Sequence, residues 1–300
     1  MPLVSMQEIV QDAWRKRYAV GYFECWNLES ALAVVDAAER MRSPVIIGFS
    51  GRFLASEGRV VRESIAVYGA LGRAVACEAR VPVGLLLNEC EDVSTVLQGV
   101  KAGFNGVMYS KEGLSPEEEI AVLRYITGVA RHFGVYVEGE VGRLPTAERG
   151  RGIVQPGKLS DPGEAARFVQ ETGVDALSVS VGNVHILEEG KAHLDHELIA
   201  SLAGAAGVPL VLHGGTGIDE EDIKKAVELG VSKVNVGTAL KRAFLRSLAD
   251  SFRSADIERG DAHDLLGRGG EKDVLARARV RLAREVARFI EIFGSAGRAR

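Results

Sequence analysis

Cysteine is scarce in this chain. Three cysteines, Cys25, Cys77 and Cys90, occur in 300 residues. They are odd in number and show no paired spacing, which argues against the disulfide framework of a secreted protein. Proline is also scarce, with 8 residues against 35 glycines, a balance that favours tight strand–helix turns over a disordered linker. No apolar run approaches the roughly 20 residues that span a bilayer. The opening segment "MPLVSMQEIVQDAWRKRYAV" lacks an apolar core of signal-peptide length. Excess positive charge is absent too. The formal net charge is −4, so neither nucleic acid nor an anionic membrane is expected as a partner. No strand-like run is followed by G-x-G-x-x-G, which weakens a dinucleotide-binding reading. There is no low-complexity tract and no internal repeat beyond the alternation described next. Together these absences predict a cytoplasmic protein.

What is present is a globular composition, 46% hydrophobic and 26% charged, on a chain long enough to bury a large core. Eight apolar runs of strand length recur: 19–23, 45–49, 83–87, 106–109, 135–141, 176–181, 209–212 and 233–236. Most are nearly continuous in hydrophobicity, as expected of parallel strands covered on both faces. Amphipathic stretches separate them. "NLESALAVVDAAERM" follows Asn27, a suitable N-cap; "DPGEAARFVQETG" opens on Asp-Pro and closes on Gly; "DEEDIKKAVELG" has an acidic first turn. Eight strand–helix units predict a (β/α)8 TIM barrel of the α/β class, with a doubly wound open sheet as the alternative. The expected organisation is a single barrel domain over 1–300. Residues 142–160, rich in Gly, Pro and Arg, are expected to form a mobile active-site loop. Residues 250–300 are expected to be helical and to pack on the barrel or on a neighbouring subunit.

A TIM barrel carries its chemistry at the C-terminal ends of its strands. Reading those positions in order gives Glu24, Ser50, Asn88 with Glu89, Ser110, Glu138 with Glu140, Gly182 with Asn183 and His185, His213, and Asn235. Two histidines and several carboxylates thus converge on one mouth. Imidazole nitrogens and carboxylate oxygens are the usual ligands of a catalytic zinc or similar divalent ion. "HGGTG", at 213–217, brings Gly214, Gly215 and Thr216. Glycines leave backbone N–H groups free to face an anion, and Asp219 then opens a helix. "NVGTA", at 235–239, adds Gly237 and the Thr238 hydroxyl. The loops after strands seven and eight are the usual phosphate cradle of this fold, so a phosphorylated small-molecule substrate is expected.

The segments "YAVGYFECWNLESALAVVDAAERMRSPVII", "AGFNGVMYS", "VYVEGEVGRL", "TGVDALSVSVGNVH", "VPLVLHGGTGI" and "KVNVGTALKRAF" resemble the class II, metal-dependent ketose-bisphosphate aldolases. The likeness covers essentially the whole chain. It implies a TIM barrel that assembles as a homodimer or homotetramer. It implies a divalent ion, Zn2+ or else Mn2+ or Fe2+, holding oxygens of a dihydroxyacetone-phosphate moiety, with a monovalent cation near the phosphate. By resemblance, His185 and His213 match two of three histidine ligands, and Glu140 matches a glutamate that approaches the metal. Glu148 matches a loop glutamate of proton transfer. Gly214, Thr216, Asn235 and Thr238 fall on the phosphate-binding segments, beside Ser50, Gly182, Gly215 and Gly237 at the same mouth.

The departures from the family all fall on the active face. Where the family has His-Leu-Asp-His-Gly, this chain has Leu86, Leu87, Asn88, Glu89 and Cys90. Asn88 stands at the family's acid/base Asp and Glu89 at its third metal-ligating His. Glu24 replaces a substrate-binding Asn, Ser110 replaces an Asp, Ile186 replaces a Gly, and Pro145-Thr146 replaces a Gly-Gly hinge. Glu89 is able to serve as a ligand, since carboxylate oxygen binds zinc at about the same distance as imidazole nitrogen. Asn88 cannot serve as a base, because its amide accepts no proton near neutral pH. Losing a general acid/base costs about 100- to 10,000-fold, so activity on fructose 1,6-bisphosphate is expected to be impaired. Glu24 is the foremost relocated base and Glu148 the second. The reading is a divalent-metal-dependent aldolase with a remodelled site. The alternatives are a metal-assisted isomerase, epimerase or hydrolase, and a non-catalytic sugar-phosphate-binding relative.

Overall fold

A computed structural model describes residues 3–148, 152–184 and 191–299. Ten strands are present among them: β1 (Val20–Glu24), β2 (Val45–Ser50), β3 (Val83–Cys90), β4 (Gly106–Tyr109), β5 (Tyr136–Val141), β6 (Thr146–Glu148), β7 (Gly152–Gln155), β8 (Ala176–Val179), β9 (Leu210–Leu212) and β10 (Val231–Val236). Eight of them close into a barrel in the order β1-β10-β9-β8-β5-β4-β3-β2, every pairing parallel. This is the expected (β/α)8 barrel, and each of the eight apolar runs became one of its strands.

The helices are α1 (Met6–Lys16), α2 (Leu28–Met41), α3 (Gly51–Ala55), α4 (Ile65–Glu78), α5 (Val93–Ala102), α6 (Pro116–His132), α7 (Pro162–Thr172), α8 (His196–Ala206), α9 (Glu220–Leu229), α10 (Thr238–Ser254), α11 (Ala262–Leu265) and α12 (Val274–Ile292). Their starts follow the sequence punctuation. Asn27 and Ser30 form a reciprocal capping box on α2. Asp161 caps α7 ahead of Pro162, and Gly173 ends it at φ 68.

The two ends of the barrel differ. At the N-terminal end α1 closes the floor. Val4 N–H donates to the Val83 carbonyl at 3.0 Å, and Met6, Ile9 and Val10 pack with Tyr22, Ile46, Leu86 and Val211 of the barrel lining. Gly84 and Gly106 leave room for the Met6 side chain, which lies 2.7 Å and 2.2 Å from where their Cβ atoms would stand. At the other end the strands run out into an open mouth. The region 142–160 carries structure of its own there. β6 and β7 pair antiparallel, and Arg143 and Lys158 exchange two backbone hydrogen bonds of 2.8 Å at the base. In the C-terminal region α12 packs across α2 and α10. Phe293 stacks on Phe23 at 6.4 Å between centroids, and Arg279 forms a two-bond fork on Asp36 at 2.6 and 2.7 Å.

Candidate active site

The polar end of β3 is built on a bulge. Leu87 pairs with Val107 and Cys90 with Tyr109, so three steps on β3 oppose two on β4. The extra residue is taken up at Glu89, whose φ is 53. That is the left-handed region, costly for a residue with a side chain and common at functional sites. Strict alternation places Leu86 in the barrel lining and Leu87 in the outer core, and would send Glu89 outward as well. The bulge re-aims it. Its Oε1 lies 3.3 Å from Nδ1 of His213 at the end of β9. Cys90 instead packs outward against Gly51, its Sγ 2.7 Å from where a Gly51 Cβ would stand. Burial above all, with Asp92 and Glu89 adding, raises its thiol pKa far above the usual range, so it serves packing rather than nucleophilic chemistry.

His213 is only 2% exposed and is held from several sides. Asn183 donates to its carbonyl oxygen at 3.0 Å. Its Nε2 meets the Asn235 amide nitrogen at 2.9 Å. Asn235 Oδ1 in turn accepts from Lys233 Nζ at 2.6 Å, and Lys233 is ion-paired with Glu138 at 3.0 Å. Glu138 does not reach the mouth, as its position on β5 had suggested. It is fully buried with Lys233, one layer below Glu140. The sequence signal for Lys233 is a charged residue within a strand-length run, between Ser232 and Val234. Burial lowers the pKa of Lys233, and Glu138 opposes that shift.

Asn88 sits beside this group, 4% exposed and in register with Ser50 of β2. Its Oδ1 is buried and has no hydrogen-bond partner among the described residues. Ser50 caps the short helix α3, accepting from Phe53 N–H at 3.3 Å. Glu24, at the end of β1, is ion-paired with Lys241 of α10 at 2.7 Å. Its Oε2 lies 2.4 Å from where a Gly237 Cβ would stand, so Gly237 is the residue that admits it. Burial raises the Glu24 pKa, Lys241 opposes the rise, and Glu89 adds to it.

Two glycine-bearing segments meet where the phosphate cradle is expected. Gly214 has φ 72, and its missing Cβ would lie 2.2 Å from the Val184 carbonyl oxygen. Gly182 has φ 104, with the His193 carbonyl oxygen 2.3 Å from the equivalent point. Both positions therefore require glycine for backbone reasons alone. Thr216, in a 3-10 turn over Gly215–Gly217, accepts at Oγ1 from Ala239 N–H at 3.1 Å. This bond ties the β9 loop to the first turn of α10, which begins at Thr238 and has no side-chain cap at Gly237.

Across the mouth, over β3, β4 and β5, lies a cavity of about 740 Å3 lined by Glu89, Ser110, Glu119, Glu140, Arg143 and His213 among others. Ser110 donates to Glu140 at 2.9 Å. Glu119 of α6 is half-buried, and its pKa is pushed up to about 7, chiefly by burial and then by Glu140. The structure thus joins Glu89 to His213 and sets Glu140 on the same cavity. Glu24 and the cradle residues stand at the β1 and β9–β10 side. His185 and the side chain of Glu148 lie outside the described residues. Among the described residues no group of three or more His, Cys, Asp or Glu side chains is gathered for a metal ion, and no helix is long and apolar enough to cross a membrane.

An eight-stranded parallel barrel with a carboxylate–histidine pair and a glycine–threonine cradle at its C-terminal mouth has the layout of a TIM-barrel enzyme. The family model for "Fructose-bisphosphate aldolase class-II" matches residues 4–298, and the chain belongs to that family; it is an aldolase-like lyase. It is 33% identical over 299 residues to the 6-phospho-5-dehydro-2-deoxy-D-gluconate aldolase of Bacillus subtilis (strain 168), covering 100% of this chain and 98% of that one. It is 28% identical over 302 residues to the sulfofructosephosphate aldolase of Alkalicoccus urumqiensis, covering 100% and 99%. Among solved structures, the YdjI aldolase of Escherichia coli K12 superposes with a TM-score of 0.82 at 27% identity, covering 99% of this chain and 100% of that one.

Proposed function

We propose that this chain is a divalent-metal-dependent aldolase that cleaves or forms a carbon–carbon bond in a phosphorylated ketose or a related hydroxy-carbonyl compound. The observation that carries this reading is the bulge at Glu89. It spends backbone strain to bring a carboxylate 3.3 Å from a buried imidazole nitrogen. Two donors with arms of about 2.05 Å at a tetrahedral angle stand about 3.3 Å apart, so the pair fits two ligands of one small divalent ion. Glu89 and His213 would hold that ion, with His185 and Glu140 as further candidates. Bound there, it would supply a Lewis acid for the substrate's carbonyl and hydroxyl oxygens. Zinc suits the nitrogen donors, and each added carboxylate shifts the site toward Mn2+ or Fe2+.

The rest of the chemistry belongs to the chain's own side chains. Asn88 supports the reading of an altered reaction, because it can orient an oxygen but cannot take a proton. Glu24 is the better-placed base. Its carboxyl is partly desolvated at the mouth, and its raised pKa moves it toward the range useful for proton transfer. Glu148 is the second candidate. Gly182, Gly214, Gly215, Thr216, Gly237 and Thr238 would receive the phosphate with their N–H and hydroxyl groups, next to the cationic Lys241. Ser50 and Asn235 would orient the substrate's oxygens. A cytoplasmic homodimer or homotetramer, with a monovalent cation near the phosphate, completes the proposal.

The test is a panel of phosphorylated ketoses incubated with the zinc-, manganese- or iron-supplemented protein and followed by NMR for cleavage to an aldehyde and a hydroxyketone. The expected result is cleavage of at least one member, abolished by a chelator and restored by metal. Cleavage unaffected by complete metal removal would overturn the metal-dependent reading.

A further inference from the structure

We propose that Lys233, acting through Asn235, fixes the tautomer of His213 with its ring proton on Nδ1, and thereby sets a threshold that any ion entering the Glu89–His213 pair has to overcome. The tautomer belongs to the ion-free protein and does not depend on the proposed reaction; the threshold for an ion rests on that reading.

One chain of buried contacts orders the donors from Glu138 to His213. Lys233 Nζ lies against the Glu138 carboxylate at 3.0 Å, a counter-charge that favours the ammonium form against burial, and an ammonium has only hydrogens to offer its neighbours. The Asn235 atom that meets it at 2.6 Å is therefore the amide oxygen. That fixes the other end of the amide, and Nδ2–H is what faces His213 Nε2 at 2.9 Å. A nitrogen that accepts a hydrogen bond carries no proton. The ring hydrogen of the neutral imidazole thus sits on Nδ1, the nitrogen that faces Glu89 Oε1 at 3.3 Å. Each link is satisfied in one sense only, and Lys233, Glu138, Asn235 and His213 are all buried, so water does not substitute for a broken link. Asn183 further pins the backbone of His213 through its carbonyl.

The consequence concerns the ion. A divalent metal on Nδ1 needs the lone pair there, and the ring proton then has to sit on Nε2. Nε2–H would face Nδ2–H, two donors in opposition. The Asn235 amide has to turn over to present Oδ1 to the ring, and turning it breaks the bond to Lys233. The Glu138–Lys233 pair, buried below the mouth and out of reach of substrate, is in this sense a positioning element for the site above it.

The experiment uses the full chain, 15N-labelled and stripped of metal by chelation, at about pH 8.5, two units above the ordinary histidine value. Two-bond proton–nitrogen correlation spectra distinguish the ring nitrogen that bears hydrogen from the bare one, and His213→Gln assigns the signal. Lys233→Met alone leaves Glu138 buried without its counter-charge and can fail to fold. The decisive variant is therefore Lys233→Met combined with Glu138→Met, which replaces the pair with apolar groups of similar volume. The wild type is expected to show hydrogen on Nδ1. The double variant is expected to show a mixture of tautomers or hydrogen on Nε2, and to bind zinc about tenfold more tightly in a competition titration, the effect of losing one charge-assisted bond. Hydrogen on Nε2 in the wild type, an unchanged tautomer in the folded double variant, or zinc affinity that is equal or weaker would each overturn the proposal.

Discussion

Glu89 Oε1 and His213 Nδ1 stand 3.3 Å apart at the mouth of the barrel, and they meet only because β3 bulges at Glu89. A residue from the third barrel strand and one from the seventh are thereby joined across the mouth. The strain at Glu89 is local, and the contact it makes is where the chemistry of this fold is expected.

Asn88 gives the first prediction. Its amide oxygen is buried and without a hydrogen-bond partner among the described residues, and aspartate is nearly the same shape. Asn88→Asp places a carboxylate where the family has its acid/base residue. Turnover of fructose 1,6-bisphosphate, measured by coupled assay, is expected to rise at least tenfold, given the roughly 100- to 10,000-fold worth of such a group. No rise would mean that the site has diverged beyond this one residue.

Glu24 gives the second. Glu24→Gln keeps a hydrogen-bonding group beside Lys241 and removes the ability to take a proton. On the substrate found by the ketose panel, kcat is expected to fall by roughly 100-fold or more while KM changes little. A kcat within a few-fold of wild type would move the role of base to Glu148.

Glu119 gives a pH-dependent prediction with a definite sign. Its carboxyl is pushed up to about 7 in the folded chain, against an ordinary glutamate value of about 4.3. Between those values the folded state holds more protons than the unfolded state. Stability is therefore fully present below the unfolded value and is lost as pH rises through about 7, by up to about 3 kcal/mol. Urea unfolding at about pH 5 and pH 8.5 is expected to show a larger loss in the wild type than in Glu119→Gln. Equal losses in the two proteins would refute the assignment.

The barrel was legible in the sequence because its strands are covered on both faces and read as continuous apolar runs. The caps at Asn27 and Asp161 were legible because their side chains act on neighbouring backbone. The end of β3 was harder to read. The apolar run stops at Leu87, yet the strand continues to Cys90, because a bulge is a matter of pairing with β4 that no local pattern reports. Glu138 and Glu140 look alike on one strand face, and only the barrel's depth separates them. The deeper one meets Lys233, 95 residues away, a contact fixed by topology. His213 and Asn235 were visible as strand-end residues, but the order of donors that links them needed three-dimensional contacts.

The most direct test of the account is metal content. The purified protein, supplemented with zinc, manganese or iron and then desalted, is analysed by elemental mass spectrometry alongside Glu89→Ala and His213→Ala. The account predicts about one tightly held ion per wild-type chain, lost in both variants while their circular dichroism stays that of the folded barrel. An ion retained in full by Glu89→Ala, or no ion bound by the wild type under any loading, would contradict the claim that the bulged carboxylate and His213 form a metal site.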